Sequence, residues 1–581
     1  MTSFEIEERP FTADAVAALS DSRDRYSNWP VVYLLNDASS VYVGETLNAA
    51  KRMRQHRDPA SRNRGMRRMR IILDDRFNKS ACLDLESQLI RYLSGDGQRQ
   101  VRNRNDGVTD ADYYDRHAYQ QTFAEVFDAL REQGLFAKTR QEIENSDLFK
   151  LSPFKSLAPQ QRAAVEQILE GLFDDLDAKR PSMSVVQGAA GTGKTIVAIF
   201  LIKLLRDIGE VDDADLLESD SVYSDFFRPG YRELAQGLRI GLVIPQQSLR
   251  ESVGKVFART PGLRKAMVMS PFQLGKSDEH FDLVVVDEAH RLTRRANQPA
   301  AALNRSYREI NEKLFGEDRP ELTQLDWIRR KSEHQIFLVD SGQSVRPADL
   351  SPETQASLVA EAERAHRLHK LMTQMRVKAG TDYIGYVRAA LEGGRPAPVD
   401  VGEYDLRFFE SASEMRSEIR RREDEFGLAR MLAGYGYRWR SRKDPAAYDI
   451  EIDELRMRWN RATTDWISSA GSADEVGSIH TVQGYDLNYA GVIIGPELRW
   501  DPDAQRIVVD RRSYHDAKGK ENSPKYGVRT DDDRLLALVV NIYVVLLSRG
   551  MRGTYIFVHD EALRERLRDV LAGTARIVVG K

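Results

Sequence analysis

One cysteine, Cys82, stands in a chain of 581 residues. No intrachain disulfide and no cysteine-based zinc cluster can therefore form, which fits a reducing compartment. Long apolar runs are missing as well: the greasiest stretch, Leu535–Leu547, contains Asn541 and is too short to span a bilayer. The opening segment alternates charged and apolar groups, as in Glu5-Ile6-Glu7-Glu8-Arg9, and has no secretory pattern. Together these absences lead to the expectation of a soluble, cytoplasmic protein. A strong net charge is absent too, with 86 Lys and Arg against 89 Asp and Glu giving −3. The chain is not a polycation, and it shows no internal repeats.

Charge is nevertheless uneven. Residues 51–70 carry Lys51, Arg52, Arg54, Arg57, Arg62, Arg64, Arg67, Arg68 and Arg70 against the single acid Asp58. Such a local basic face suits a phosphate backbone, although a solvated helix surface has the same composition. The length implies three or more domains. The reading is an N-terminal extension over 1–27, a small basic α/β unit over 28–110 and a helical connector over 111–150. Two parallel-sheet units follow, over 151–360 and 361–581, because strand-like runs there alternate with helical stretches. Asp207–Asp220 reads as an exposed acidic insertion, and Arg438–Arg442 and Asp510–Asp533 as loops or lids. Trp439, between two arginines, is a candidate stacking residue whose plain alternative is ordinary packing.

The most informative stretch is Gly188-Ala189-Ala190-Gly191-Thr192-Gly193-Lys194-Thr195. It fits the phosphate-binding loop pattern, with a strand-like segment before it (Met183–Gln187) and an apolar helical segment after it (Ile196–Leu205). Gly188, Gly191 and Gly193 let the backbone wrap a triphosphate, so that amides and a helix N-terminus face the anion. Lys194 would sit on the β- and γ-phosphates and the Thr195 hydroxyl on Mg²⁺. Downstream, Phe281–Val286 is a hydrophobic strand ending in Asp287 and Glu288. A buried parallel strand delivers its C-terminal residues to the ligand crevice. Asp287 is placed there to hold the metal and Glu288 to polarise the attacking water.

In this order the motifs resemble superfamily 1 helicases and translocases, with two RecA-like domains and ATP as fuel. Leu157–Val165 resembles the adenine-reading segment, which puts Gln161 on the base. Leu338-Val339-Asp340-Ser341-Gly342-Gln343 resembles the third motif, with Gln343 sensing the γ-phosphate. Leu371-Met372-Thr373-Gln374-Met375-Arg376 resembles the fourth, with Arg376 reaching across the cleft. Ile479–Asp486 resembles the fifth, with Gly484 within it and Asp486 where a ribose contact is expected. Tyr543–Gly550 resembles the sixth, with Arg549 as second arginine and Ser548 where threonine is more usual. The two arginines would stabilise the transition-state phosphate only when the two units close on ATP. Gly477–Leu498 and Leu547–Tyr555 resemble a narrower group, the bacterial Schlafen-type helicase-like ATPases. The likeness covers roughly residues 150–581.

The small basic unit opens with Val31-Val32-Tyr33 and, after a turn, Tyr42-Val43-Gly44; Lys51–His56 follows on a helix. This resembles the GIY-YIG nuclease domain, with Val31 replacing the small residue that usually opens the first signature. Arg52 and His56 share a helix face at i and i+4. The likeness implies that Arg52 neutralises the scissile phosphate and that His56 moves a proton. It also implies that Tyr33 or Tyr42 orients water and that Glu86 binds one divalent ion, Mg²⁺ or Mn²⁺. Asn103 stands for the family's late asparagine, with Asn105 a close competitor. The expected function is an ATP-driven helicase or translocase, acting on nucleic acid with DNA favoured, fused to a metal-dependent endonuclease. Defence against foreign DNA, or repair, is the role that architecture suggests. The alternative is an ATP-driven switch or sensor whose small domain grips nucleic acid without cutting it.

Overall fold

The computed structural model describes residues 4–22, 24–104, 112–210, 223–296, 298, 300–374, 382–462, 465–482 and 484–578. It divides into two compact units. One holds Met1–Lys179, Thr195–Leu238 and Ser252–Val268; the other holds Arg180–Lys194, Arg239–Glu251 and Met269–Lys581.

The first unit is built on a five-stranded sheet. Its order is Phe4–Pro10, Arg68–Asp74, Val31–Asn36, Ser40–Thr46 and Gln100–Val101. The central strand Val31–Asn36 is buried along its whole length because both faces of the sheet are covered. Val31, Tyr33 and Leu35 point to one core with Met53, Met69 and Ile71. Val32 and Leu34 point to the other, with Leu85, Leu89 and Leu93 of the helix Lys79–Asp96. Two segments differ from the expected boundaries. Residues 4–10, read as outside the small unit, form its edge strand, paired antiparallel with Arg68–Asp74. The helix Arg116–Glu132, read as a connector, buries Phe123, Val126, Phe127 and Leu130 in the same core as Val32 and Leu34.

The second unit carries two RecA-like sheets. The first runs Leu368–Leu371, Ser182–Gly188, Ser332–Val339, Phe281–Val286, Ile240–Val243 and Val268–Met269. Its first five strands pair in parallel, so Gly188, Val286 and Val339 all end at one edge. Leu368–Leu371 pairs with Val185–Gly188, so this sheet extends past the boundary expected at residue 361. The second sheet has eight strands, with Leu487–Ile494 and Gly550–Val558 at its centre. The apolar run around Leu535–Leu547 is one of its core helices: Leu535, Val539, Ile542 and Leu546 are buried there, as expected for a helix hydrophobic all round. Trp439 is partly buried, 6.4 Å from the Trp459 ring, and packs rather than projects. Among the described residues no helix is long and apolar enough to cross a membrane.

One buried acid tunes this second sheet. Glu497 is fully buried; the Tyr543 phenol donates to its Oε1, and Gly434, Gly436 and Gly495 crowd the carboxyl so closely that any side chain there would collide with it. Burial pushes its pKa up to about 7. The folded state therefore holds a proton that the unfolded chain releases, and stability falls as pH rises from the ordinary carboxylate range through about 7. The loss is on the order of 3 kcal/mol. Thermal midpoints measured from acid to mildly alkaline pH should fall less steeply in Glu497→Gln than in wild type; parallel curves would contradict this.

Candidate functional site

The phosphate loop lies at the sheet edge where the strand Ser182–Gly188 ends. Gly191 and Gly193 both adopt φ of 79°, which only glycine takes without strain. Lys194 is buried, and its Nζ donates to the carbonyls of Gly188 at 2.7 Å and Ala189 at 2.9 Å. It also faces Asp340 Oδ2 at 3.5 Å. The strand Phe281–Val286, next but one in the sheet, leads into Asp287, whose Oδ1 accepts from the Glu288 N–H at 3.0 Å. Glu288 itself is held in the left-handed region at φ 51°, a strained conformation of the kind that collects at functional sites.

His290, not singled out in the sequence, organises the centre. Its Nδ1 accepts from the Asp340 N–H at 3.3 Å, which leaves Nε2 as the protonated nitrogen, 3.0 Å from Glu288 Oε2. One imidazole thus ties the end of Phe281–Val286 to the end of Ser332–Val339. Burial works against a charge on Glu288, yet His290, with Lys194 and Arg291, holds its carboxyl well below the usual carboxylate range. Gln343 donates to Asp340 Oδ2, and its own Oε1 is buried with no hydrogen-bond partner among the described residues. A buried acceptor of that kind fits a group that brings its own donor or a metal-bound water. The only local signal for His290 and Asp340 was their position beside Glu288 and before Gln343.

The second sheet of this unit reaches the first at two places. Gly484, at φ 87°, lies so close to Leu249 that a Cβ would stand 3.3 Å from it, and Tyr485 donates through its hydroxyl to the Ser248 carbonyl at 3.4 Å. Asp486 follows at the head of Leu487–Ile494. Arg549 is buried and donates to the carbonyls of Val545 at 3.0 Å and Tyr485 at 3.3 Å. The second place is the loop around Gln343. Arg388 donates to the Gly342 carbonyl at 3.0 Å and to Asn541 Oδ1 at 2.8 Å, and Asn541 donates to the Ser344 carbonyl at 2.9 Å. Both neighbours of Gln343 are therefore gripped by side chains of helices that pack on the second sheet, Tyr383–Leu391 and Asp532–Leu547. Gln161 is buried at the start of its helix, where its Oε1 accepts from the Ala158 N–H at 2.9 Å. Thr195 lies in the first turn of the helix Lys194–Glu210. Arg376 lies outside the described residues.

The first unit contains a second cluster. Tyr33 Oη is 2.7 Å from His56 Nε2 and accepts from Arg52 Nε at 3.1 Å. Asn63 donates its amide to His56 Nδ1 at 3.2 Å, so Nε2 carries the ring proton and faces Tyr33. The Tyr33 hydroxyl thus receives two donors and hydrogen-bonds in turn to the Tyr42 hydroxyl. Burial, with the Arg52 charge, pulls His56 down to about 3, so it is neutral. Burial, with Tyr42 beside it, raises Tyr33 well above its ordinary value. The Tyr42 ring stands 6.2 Å from Tyr33 and 5.1 Å from His56. Burial and the neighbouring Glu45 carboxylate push Glu86 up to about 8, against Arg52 and Lys79. Glu45, missed in the sequence, faces Lys79 at 3.8 Å. The glycine of the second signature has a plain steric reason: Gly44 sits opposite Tyr33 in the sheet, and a Cβ there would lie 2.2 Å from the Tyr33 hydroxyl. Asn103 uses both ends of its amide on the Val43 backbone, at 3.1 and 2.7 Å, and so clamps the strand Ser40–Thr46. Asn105 lies outside the described residues. Asn63 had no signal beyond its place among arginines.

Residues 181–560 match the family described as Schlafen group 3, DNA/RNA helicase domain. The chain belongs to that family. The matched span contains the phosphate loop, the Asp287–His290 turn, Gln343, Gly484 and Arg549. The Schlafen group 3 chain is also 25% identical over 450 residues to the uncharacterized protein YPL245W of Saccharomyces cerevisiae, covering 71% of this chain and 90% of the yeast one. Among solved structures it is similar to the Arterivirus nonstructural protein 10 helicase in complex with DNA, at 13% identity and a TM-score of 0.27, over 69% of this chain and 67% of that one. It is likewise similar to Bacteroides Pif1 bound to single-stranded DNA, at 9% identity and a TM-score of 0.25, over 72% and 97%.

Proposed function

We propose that this Schlafen group 3 chain is an ATP-driven nucleic-acid motor carrying a metal-dependent phosphodiester-cutting domain. The observation that carries the motor is the chain Lys194–Asp340–His290–Glu288, which joins the phosphate loop to the ends of two further strands. On ATP, Lys194 exchanges the Gly188 and Ala189 carbonyls for phosphate oxygens. Glu288, kept ionised by its neighbours, accepts a hydrogen bond from the attacking water and orients it. Gln343 offers its free acceptor toward the γ-phosphate shell, and Arg549 and Arg376 stabilise charge on the transferring group. Mg²⁺, held by Asp287 and Thr195, would neutralise the developing charge. Gln161 reads the adenine and Asp486 the ribose. Because Gly342 and Ser344 are held by Arg388 and Asn541, a change at Gln343 reaches the second sheet directly.

The cutting domain rests on Tyr33, His56 and Arg52 meeting at one hydroxyl. Arg52 takes the phosphate charge, Tyr33 and the Tyr42 hydroxyl bonded to it orient the water, and neutral His56 keeps Tyr33 in place. Among the described residues no cluster of three or more His, Cys, Asp or Glu is arranged for a metal. Burial and the Glu45 carboxylate leave Glu86 holding its proton up to about 8, and a cation that displaces that proton beside the second carboxylate suits an ion that keeps most of its waters. Glu86 would hold that Mg²⁺ or Mn²⁺, which supplies Lewis-acid charge on the phosphate. DNA is the favoured substrate. Incubating the protein with plasmid, forked and single-stranded DNA and RNA, plus divalent metal, tests this half. Cleavage in wild type, lowered about a hundredfold or more in Glu86→Ala, supports it; equal cleavage in the variant, or none in wild type, removes it.

A further inference from the structure

A cavity of about 450 Å³ lies in the second unit, between the helix Pro352–Arg364, the loop after Gln343 and the first half of the helix Asp532–Leu547. Lys194, Asp287, Glu288 and Gln343 do not line it, so it is distinct from the phosphate site. Its walls carry two chemistries. Leu350, Val359 and Leu538 form an apolar floor, and Arg294, Arg346 and Arg534 a basic rim. The neighbouring acids Asp349 and Glu353 offset that rim only in part. Asp349 Oδ2 accepts from the N–H groups of Val345 and Arg346, both at 3.1 Å, and Glu363 is exposed. Arg294 binds the Pro347 carbonyl through Nε and Nη2 at 3.0 and 2.8 Å. Its pKa is lowered by burial and then by the Arg534 charge, against the Asp349 and Glu353 carboxylates. Two guanidinium groups that repel one another attract an anion between them.

The wall also holds an unmet acceptor. Gln355 is 3% exposed; its Nε2 donates to Ser344 Oγ and to the Leu350 carbonyl, both at 2.9 Å. Its Oε1 is buried with no hydrogen-bond partner among the described residues.

We propose that this cavity binds one nucleotide unit, with its phosphate among Arg294, Arg346 and Arg534. The base lies on Leu350, Val359 and Leu538. The volume is that of a small-ligand site. The unit comes either from the nucleic-acid strand or from a free mononucleotide. Occupancy is felt at Ser344, which Gln355 and Asn541 both hold and which adjoins Gln343. That consequence, though not the binding itself, rests on the motor reading.

The test measures fluorescence anisotropy of two probes, a short labelled oligodeoxyadenylate and a mant-labelled adenosine monophosphate. The proteins are wild type, Arg534→Ala, Ala356→Trp and Lys194→Ala. Ala356 is exposed on its helix and lines the cavity, so a bulky ring there fills the space without disturbing the core. We expect Arg534→Ala and Ala356→Trp each to weaken at least one probe about tenfold, and to do so equally when Lys194→Ala has removed the phosphate site. Loss confined to the oligonucleotide assigns the cavity to the strand; loss confined to the monophosphate assigns it to a free nucleotide. Unchanged binding of both probes in both cavity variants overturns the proposal, as does a loss seen only in Lys194→Ala. Because the readout is binding, a protein without ATP turnover would sink the motor reading and leave this result standing.

Discussion

Lys194→Ala should lower kcat for ATP hydrolysis about a thousandfold or more while leaving the thermal midpoint close to wild type. The lysine is buried among the carbonyls of Gly188 and Ala189 and the Asp340 carboxylate, so its charge faces acceptors only until a triphosphate replaces them. Removing it deletes an ammonium that faces the loop carbonyls, whereas the glycine turns at Gly191 and Gly193 do not depend on it. Glu288→Gln should behave differently. It keeps the shape beside His290 but loses the held negative charge, so nucleotide binding persists while turnover falls. Filter binding of labelled ATP beside a phosphate-release assay separates the two variants. Turnover that survives Lys194→Ala would contradict the assignment of the site.

Gly44→Ala should abolish nuclease activity, about a hundredfold or more, and leave ATP turnover unchanged. A methyl group there would lie 2.2 Å from the Tyr33 hydroxyl and 2.3 Å from the ring carbon bearing it, so the ring must leave the position where Arg52 and His56 meet it. The strand pairing Tyr33–Gly44 gives the backbone no room to yield. Tyr33→Phe tests the hydroxyl alone: it keeps the packing of the strand and loses the acceptor for Arg52 and His56. Equal loss in both variants points to the hydroxyl; a larger loss in Gly44→Ala adds the displaced ring. Cleavage by Gly44→Ala at the wild-type rate would show that Tyr33 has no part in the reaction.

The parts legible in the sequence are those written in contiguous residues. The phosphate loop, the strand ending in Asp287 and Glu288, and the two tyrosine signatures each carry a local pattern, and the parallel sheets follow from the spacing of their strands. What escaped depends on pairing over distance. Phe4–Pro10 joins the small sheet only through Arg68–Asp74, and Leu368–Leu371 joins the first parallel sheet through a strand far upstream; neither has enough length to announce its partner. Arg388, Asn541, Glu45 and Asn63 are single polar residues in ordinary helices, strands or turns, and only tertiary contact gives them meaning. Asn103 shows the reverse case: the motif named the residue, and its geometry ties it to the Val43 backbone.

The central claim is that nucleotide chemistry at Lys194, Glu288 and His290 drives movement along nucleic acid. Phosphate release measured with and without single-stranded DNA, and displacement of a protein block from one end of that strand, tests it most directly. The account predicts turnover raised strongly by the strand, displacement from one end only, and loss of both in Lys194→Ala. Slow turnover indifferent to nucleic acid, with no displacement from either end, would contradict it and leave a switch in place of a motor.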